Sequence, residues 1–332
     1  MTRHDAANPF LAPGRWLKGG IHIHTTNSDG VVSPDDALAR FRARGYDFLV
    51  FGDHWRITQP ADPLGKVLVL PGAEFDAGLP ANNPDQLMAG LPDGTSFHFM
   101  AIGMATGHEE RLRALRGQPV EMASTLAGLC RRVVLAHPYW SSLTTDECLR
   151  FAESIRCLEV YNHGCEVDNG IGFSVYPWDQ VLTRGQTWDA LAVDDCHWRS
   201  ADAFGGWVMV KVGEVGGGGA VAGDAAAEAI YSALQTGQYY STMGPTIELV
   251  DIGQDRTISV RCSPARSIMF RCNASPGVVS WAPPGQTITE ARWQVPPPRP
   301  GQAVRYHPRV VRVEVTDELG RKAWSNPFVL VV

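Results

Sequence analysis

The chain has 332 residues, a formal net charge of −6, 44% hydrophobic residues and 19% charged residues, an ordinary globular composition. That length suffices for a sizeable core and fits about two domains at ~150 residues each. A negative balance without any Lys/Arg run excludes a general binder of phosphate backbones, so no nucleic-acid partner is expected, and no apolar stretch is long enough to span a bilayer.

Short apolar runs alternate with helical patterns through the first part of the chain. After an N-terminal extension, residues 1–17, a first strand is expected at Gly20–Thr25. A helix follows: Ser33 is a natural N-cap, Pro34 suits the first helical position, and Asp35 and Asp36 favour the positive end of the dipole. Ala37, Leu38 and Phe41 supply its apolar face, and Gly45 closes it. Strands are then expected at Asp47–Asp53, Lys66–Phe75, Phe97–Met104, Arg132–His137, Cys157–Tyr161 and Ala190–Asp195. The interleaved helices read as His108–Arg116, Glu121–Arg131, Thr145–Glu153, Pro177–Arg184 and Ala225–Thr236. Asp76–Ser96, rich in Pro, Gly, Asn and Asp, reads as a long loop of the binding or lid kind. Val215–Gly223, with its glycine run, reads as a flexible connection. Seven strands alternating with helices over residues 18–245 predict a parallel α/β sheet or barrel.

From about Gly244 the pattern changes to short alternating runs broken by Pro and Gly. Thr246–Val250, Thr257–Arg261, Ser267–Cys272, Gly277–Trp281, Ala291–Val295, Arg309–Val315 and Phe328–Val332 predict a small antiparallel β-sandwich over residues 246–332. It holds no cluster of titratable residues, so a structural or oligomer-forming role is expected. Met1 to Gly14 has no apolar core of the signal-peptide kind. The seven cysteines, odd in number and without a C-x-x-C pair, fit reduced thiols in the cytoplasm. Cys262 and Cys272 read as two buried thiols.

The chemistry lies at the strand ends. His22 and His24 are two residues apart on the first strand, where alternation points both rings to one face. Asp29 follows in the next loop. His54 ends the second strand, Glu74 the third and His137 the fifth; His98 lies on the fourth. Asp195 and His197, again two apart, end the seventh. In a closed parallel barrel these ends converge on one rim, where active sites are built. Imidazole nitrogen and carboxylate oxygen are the donors that Zn, Mn and Fe(II) accept. A single H-x-H is a weak signal, but so many buried imidazoles on one rim would each need a separate polar partner if they were merely structural.

This constellation resembles the polymerase-and-histidinol-phosphatase (PHP) family of metallohydrolases. The matching segments are HIHTTNSDG (His22–Gly30), GDHW (Gly52–Trp55), GAEF (Gly72–Phe75), FHFMAIG (Phe97–Gly103), AHP (Ala136–Pro138) and DDCH (Asp194–His197). The resemblance implies a distorted seven-stranded (β/α)7 TIM-like barrel with two to three divalent ions. His22, His24, Glu74 and Asp195 would hold a first ion. Glu74, bridging, with His98 and His137 would hold a second, and Asp29, His54 and His197 a third. LEVYN (Leu158–Asn162), GWVMV (Gly206–Val210) and WSNP (Trp324–Pro327) look like the carbaryl-hydrolase-like branch.

The expected activity is therefore hydrolysis of a small-molecule substrate by a metal-bridging hydroxide, with Glu74, Asp195, His197 and Arg199 as the catalytic set. A small phosphomonoester or nucleotide-like substrate leads, a carbamate, ester or amide is the alternative, and a non-catalytic metal-binding scaffold is a third reading. Arg56 and Arg199 lie two residues beyond His54 and His197, where a guanidinium either forks onto substrate oxygens or stays in solvent. His163 and Glu166 follow the sixth strand and either touch substrate or line the loop. Cys196, between two ligands, should point away from them, and Lys211 reads as a strand-end surface residue. Trp55, Tyr139, Trp140 and Trp198 sit beside ligands and read as packing or as an aromatic-lined entrance. His4, His108 and His307 fall outside the constellation.

Overall fold

A computed structural model describes residues 8–78, 96–213, 223–273, 277–297, 300–301 and 307–330. His4, most of the expected loop after Asp76 and most of the glycine run from Val215 lie outside them. The first strands are β1 (Arg15–Ile21), β2 (Phe48–Val50), β3 (Leu68–Leu70), β4 (Gly72–Gly78) and β5 (Ser96–Ile102). They are followed by β6 (Arg132–Leu135), β7 (Cys157–Asn162), β8 (Asp189–Val193), β9 (Trp207–Val212) and β10 (Tyr239–Thr242). The helices are α1 (Pro34–Ala43), α2 (Glu109–Arg113), α3 (Pro119–Leu129), α4 (Thr145–Leu149), α5 (His163–Asn169), α6 (Val175–Thr183) and α7 (Asp224–Thr236). The later strands are β11 (Ile247–Ile252), β12 (Thr257–Ala265), β13 (Ser267–Cys272) and β14 (Gly277–Trp281). The last are β15 (Ile288–Gln294), β16 (Val310–Thr316), β17 (Lys322–Ser325) and β18 (Phe328–Val329).

The expected (β/α)7 barrel followed by a β-sandwich is not what forms. Among the described residues 18 strands make three sheets of ten, five and three strands, and none of them closes into a barrel. The five-stranded sheet runs β4-β5-β6-β7-β8, and β5 is antiparallel to both its neighbours. In the ten-stranded sheet β1 pairs in parallel with β2 and antiparallel with β9, from Arg15↔Val212 to Gly19↔Val208. A strand has only two hydrogen-bonding edges, so β9 occupies the edge of β1 that β8 would need for closure. Only past the ends of those strands does β1's continuation meet β8's, through the single parallel bridge Ile23↔Cys196.

The same sheet then continues through β10 and β17 into β16, β13 and β14. The C-terminal segment is thus one extension of that sheet plus the separate three-stranded sheet β11-β12-β15, not a free-standing sandwich. β9, β10 and β17 carry this continuity, and sequence reading did not place them. Lys211, expected at a strand-end surface, is the next-to-last residue of β9 and half-buried, with its ammonium over the Trp16 ring.

Apolar cores fill the layers. Ile21, Val50, Leu70, Met100, Val134, Leu191, Val193, Val208 and Val210 meet between the two larger sheets and are covered at one end by Ile230 and Leu234 of α7. Phe75, Phe99, Leu126, Leu158 and Trp178 fill the outer face of the five-stranded sheet against α3 and α6. On the other flank α1 is built as its sequence dictates. Ser33 accepts from Asp36 N, Pro34 opens the helix, Gly45 takes a φ of +71°, and Phe41 and Leu38 are buried. Truncating Phe41 to Ala would cost about 3–5 kcal/mol, and losing the Ser33 cap about 1.

Among the described residues no helix is long and apolar enough to cross a membrane. All seven cysteines are unpaired, and Cys262 and Cys272 are buried on strands of different sheets.

Candidate metal centre

The ligand candidates gather where the two larger sheets approach each other. β1 ends at Ile21, and His22 leaves the strand with φ +65°. The two rings of His22 and His24 therefore converge through a backbone break rather than through strand alternation, with centroids 5.1 Å apart. Gly52 makes the approach possible, because a Cβ there would lie 2.6 Å from His22 Cδ2. His54 and Glu74 are joined by a parallel bridge between the end of β2's segment and β4. His98 lies on its strand as expected, but that strand is not parallel to its neighbours. It sits near the start of β5, opposite Asp76 of β4, and reaches the cluster because that strand runs antiparallel.

Three groups result, each offering ligand atoms within 4.8 Å of one another. The first holds His22, His24, Glu74 and Asp195, the second Glu74, His98 and His137, and the third His24, Asp29, His54 and His197. Glu74 is shared by the first two and His24 by the first and third. Glu74 Oε2 lies 3.2 Å from His22 Nε2 and 3.2 Å from His54 Nδ1, while Oε1 lies 2.8 Å from His98 Nδ1 and 3.2 Å from His137 Nε2. Asp195 Oδ1 is 3.0 Å from His24 Nε2 and 3.3 Å from His22 Nε2. In the third group His197 Nε2 is 3.2 Å from Asp29 Oδ2.

Metal fits this set better than a closed hydrogen-bond network does. His22 Nε2, His24 Nε2, His54 Nδ1 and Asp195 Oδ1 are buried and make no hydrogen bond, although buried polar atoms nearly always do. Three of them, on His22, His24 and Asp195, face one another, and His54 Nδ1 faces Glu74 Oε2. Backbone strain accumulates here too: of the eight non-glycine residues with positive φ among the described residues, His22, His137 and Asp195 are ligand candidates, and Trp55 and Trp198 directly follow others. Such strain costs roughly 1–3 kcal/mol per residue and persists only where surrounding structure imposes it.

The electrostatics calls for cations. Burial by itself would lower the pKa of His22, but Asp195, Glu74 and Glu159 outweigh it and raise the ring well above 6.5. The same opposition raises His24 to about 9, with Asp195 and Glu74 responsible. Burial opposes ionisation of Glu74 and Asp195, yet the surrounding imidazoles, His22 first, hold both well below the usual carboxylate range. His54 is lowered, mainly by burial. Among ions, divalent cations with nitrogen and oxygen preference satisfy such carboxylates while accepting the imidazole lone pairs.

Residues behind the ligand candidates were given no role in the sequence reading, although its matching segments LEVYN and GDHW hold Glu159, Asn162 and Asp53. Glu159 of β7 is fully buried and receives His22 Nδ1 at 2.7 Å and the His137 backbone N–H at 2.8 Å. Asn162 donates to Glu159 Oε2 and to Asp195 Oδ2, and its own Oδ1 caps α5 by accepting from Cys165 N. Asp53, also buried, holds Thr25 N, Thr25 Oγ1 and Ser28 Oγ. Asp202 accepts from the backbone N–H groups of His197 and Trp198. For Glu159 the physical sign in the sequence was an acidic residue inside an apolar strand, CLEVYN.

Substrate candidates separate into two kinds. Trp198 donates its indole N–H to His24 O and packs on Phe41 and Phe204. Trp55 donates to Asp76 and packs edge-on against Phe75. Tyr139 and Trp140 remain 50% and 40% exposed, and the Trp140 ring lies 4.9 Å from that of His137 and 5.8 Å from that of His98. Arg56 is exposed, and Arg199 donates to the Asp29 carbonyl. His163 opens α5 with both ring nitrogens engaged, by Tyr161 Oη and the Ala201 carbonyl, and Glu166 accepts from Gly172 N. Cys196 is buried beside Ile23 and Phe41. His108 stands at the N-cap position of α2, without a side-chain cap hydrogen bond and outside the cluster.

Three overlapping His/carboxylate groups define a candidate polynuclear metal centre. No family model and no curated protein sequence matches the chain. Among solved structures it is similar to a two-domain protein from Bacteroides vulgatus ATCC 8482, described as containing a predicted PHP-like metal-dependent phosphoesterase. Identity is 15%, coverage 96% of this chain and 95% of that one, and TM-score 0.45. It is also similar to a predicted metal-dependent phosphoesterase from Bifidobacterium adolescentis ATCC 15703, at 14% identity, 64% and 95% coverage and TM-score 0.38. A third, PsfC from Pseudomonas syringae PB-5123, shares 16% identity over 60% of this chain and 84% of that one, with TM-score 0.38.

Proposed function

We propose that the protein is a metal-dependent hydrolase, and first a phosphoesterase acting on a small phosphomonoester or nucleotide-like substrate. The observation that carries this reading is the convergence of four buried, unbonded ligand atoms within overlapping His/carboxylate groups. Two to three divalent ions, Zn, Mn or Fe, would be held by His22, His24, Glu74 and Asp195, by Glu74, His98 and His137, and by Asp29, His54 and His197 with His24. Ions held there supply Lewis acidity and a means of ionising water near neutral pH.

The chain's own residues do the rest. Glu74, facing five imidazoles from one carboxylate, fixes the spacing of the first two pockets. Asp195 sets the inner wall, and His197 with Asp29 sets the outer one. Tyr139 and Trp140 border the mouth on the His98 and His137 side and would exclude water from a flat substrate group. No Ser or Cys nucleophile motif competes for the chemistry.

One observation favours the alternative, a carbamate, ester or amide substrate. Arg199 is turned onto the Asp29 carbonyl, which leaves fewer cationic groups for phosphate oxygens than a phosphatase usually presents. Elemental analysis of protein expressed with added metal, followed by assays on p-nitrophenyl phosphate and on aryl esters and carbamates, tests both readings. Stoichiometric metal with phosphate ester turnover is expected. Trace metal at most would overturn the metal centre, and turnover of esters or carbamates alone would replace the first substrate class by the second.

A further inference from the structure

The Glu159 carboxylate is buried, carries no ligand atom of the three groups, and uses both oxygens at once. Oε1 receives His22 Nδ1 at 2.7 Å; Oε2 receives the His137 backbone N–H at 2.8 Å and Asn162 Nδ2 at 2.9 Å. Asn162 Nδ2 also reaches Asp195 Oδ2 at 3.0 Å. Two N–H donors already occupy Oε2, and Oε1 is the acceptor that faces the ring, so this geometry is met when His22 presents its proton from Nδ1. Nε2, the buried atom that faces Glu74 and Asp195, is then the nitrogen left for a ligand.

We propose that Glu159, steadied by Asn162, is a positioning residue that fixes the tautomer of His22 and ties the first and second metal pockets into one unit. The inference rests on the metal centre proposed above. His22 and Asp195 belong to the first pocket and His137 to the second, and a single side chain or its partner holds all three. The strand supports this placement: β7 carries a register shift against β8 between Glu159 and Tyr161, the kind of bulge that re-aims side chains beside sites. The third pocket has its own support in Asp202, which holds the His197 backbone, and does not depend on Glu159.

Glutamine cannot replace this carboxylate. Its side chain has one accepting oxygen, while His22 Nδ1–H and His137 N–H both need an acceptor. Glu159→Gln therefore either loses the His137 contact or turns an amide N–H toward His22, which favours the wrong tautomer. Partners of this kind behind metal ligands are worth about ten- to a hundredfold in affinity.

Metal-free wild-type, Glu159→Gln and Asn162→Ala proteins are titrated with Zn(II) by calorimetry and with Co(II) by visible absorption. In Glu159→Gln the binding steps of two pockets weaken at least about tenfold and the Co(II) spectrum changes, while one step and the melting temperature of the metal-free protein stay as in wild type. Asn162→Ala weakens the first pocket more mildly, and decides the matter if Glu159→Gln does not fold. Unchanged affinities and spectrum in either folded variant would overturn the proposal. So would a uniform loss of all steps with a lowered melting temperature, the mark of a purely structural residue. Failure of the wild type to bind metal would overturn the metal centre itself, and this inference with it.

Discussion

Two of the buried charge clusters among the described residues are treated in opposite ways. Around Arg312, at the junction of α6 with β16, the charges are matched. The fully buried guanidinium donates from Nε and Nη2 to Asp179 and from Nη1 to Glu314, and it lies over the Trp178 ring. Glu314 receives the Trp324 indole N–H and the Lys322 ammonium as well, and Arg271 completes Asp179. At the metal centre, ligand atoms of similar burial are left without hydrogen bonds and the backbone is strained. A matched network fixes structure; an unmatched one, held rigid by Glu159, Asp53 and Asp202, keeps electron pairs for something else.

The comparison breaks most visibly at Glu74. Glu74→Gln should lower kcat/KM on the order of a thousandfold or more, about 4 kcal/mol of transition-state stabilisation, with the metal-free fold intact. Near-normal turnover with full metal content would show that the carboxylate does not bridge.

Arg312→Met should do the reverse. Loss of the guanidinium leaves Asp179 with Arg271 alone and Glu314 with Lys322 and the Trp324 indole, and should cost roughly 3 kcal/mol in urea denaturation, while metal bound per folded chain stays constant. A fall in metal affinity with no change in stability would mean that the two clusters are not separate in role.

The structural cluster should also show in acid. Burial alone would raise the Glu314 pKa, but Arg312 and Lys322 outweigh it and hold the carboxyl below its ordinary 4.5. A depressed folded-state pKa gives stability that is complete above the unfolded value and is lost as pH falls through the folded one. Melting curves from neutral pH down to about pH 3 should therefore show a shallower acid decline in Glu314→Gln than in wild type, from a lower starting point. Parallel declines would remove Glu314 from the acid response.

The smallest effect concerns the mouth. Trp140→Ala should shrink the preference for aryl over alkyl substrates of equal leaving-group acidity by a factor of about two to ten, and Trp198→Ala should leave it in place. Equal kcat/KM for matched aryl and alkyl substrates in the wild type would return Trp140 to packing.

The candidate ligand residues and their arrival at strand ends were legible in the sequence because both are local. His22, His24, His54, Glu74, His137 and Asp195 stand where an apolar run stops, and α1 is written out by Ser33, Pro34 and Gly45. What the tertiary structure alone decided depends on partners distant in the chain. Glu159 meets His22 across 137 positions, and nothing in CLEVYN announces that contact. The barrel reading failed for the same reason. β9 and β5 look like any other apolar run, and only hydrogen-bond pairing determines that β9 takes the free edge of β1 or that β5 runs antiparallel and delivers His98 from its start. Periodicity tells a strand from a helix, but it carries no information about which edge that strand will find.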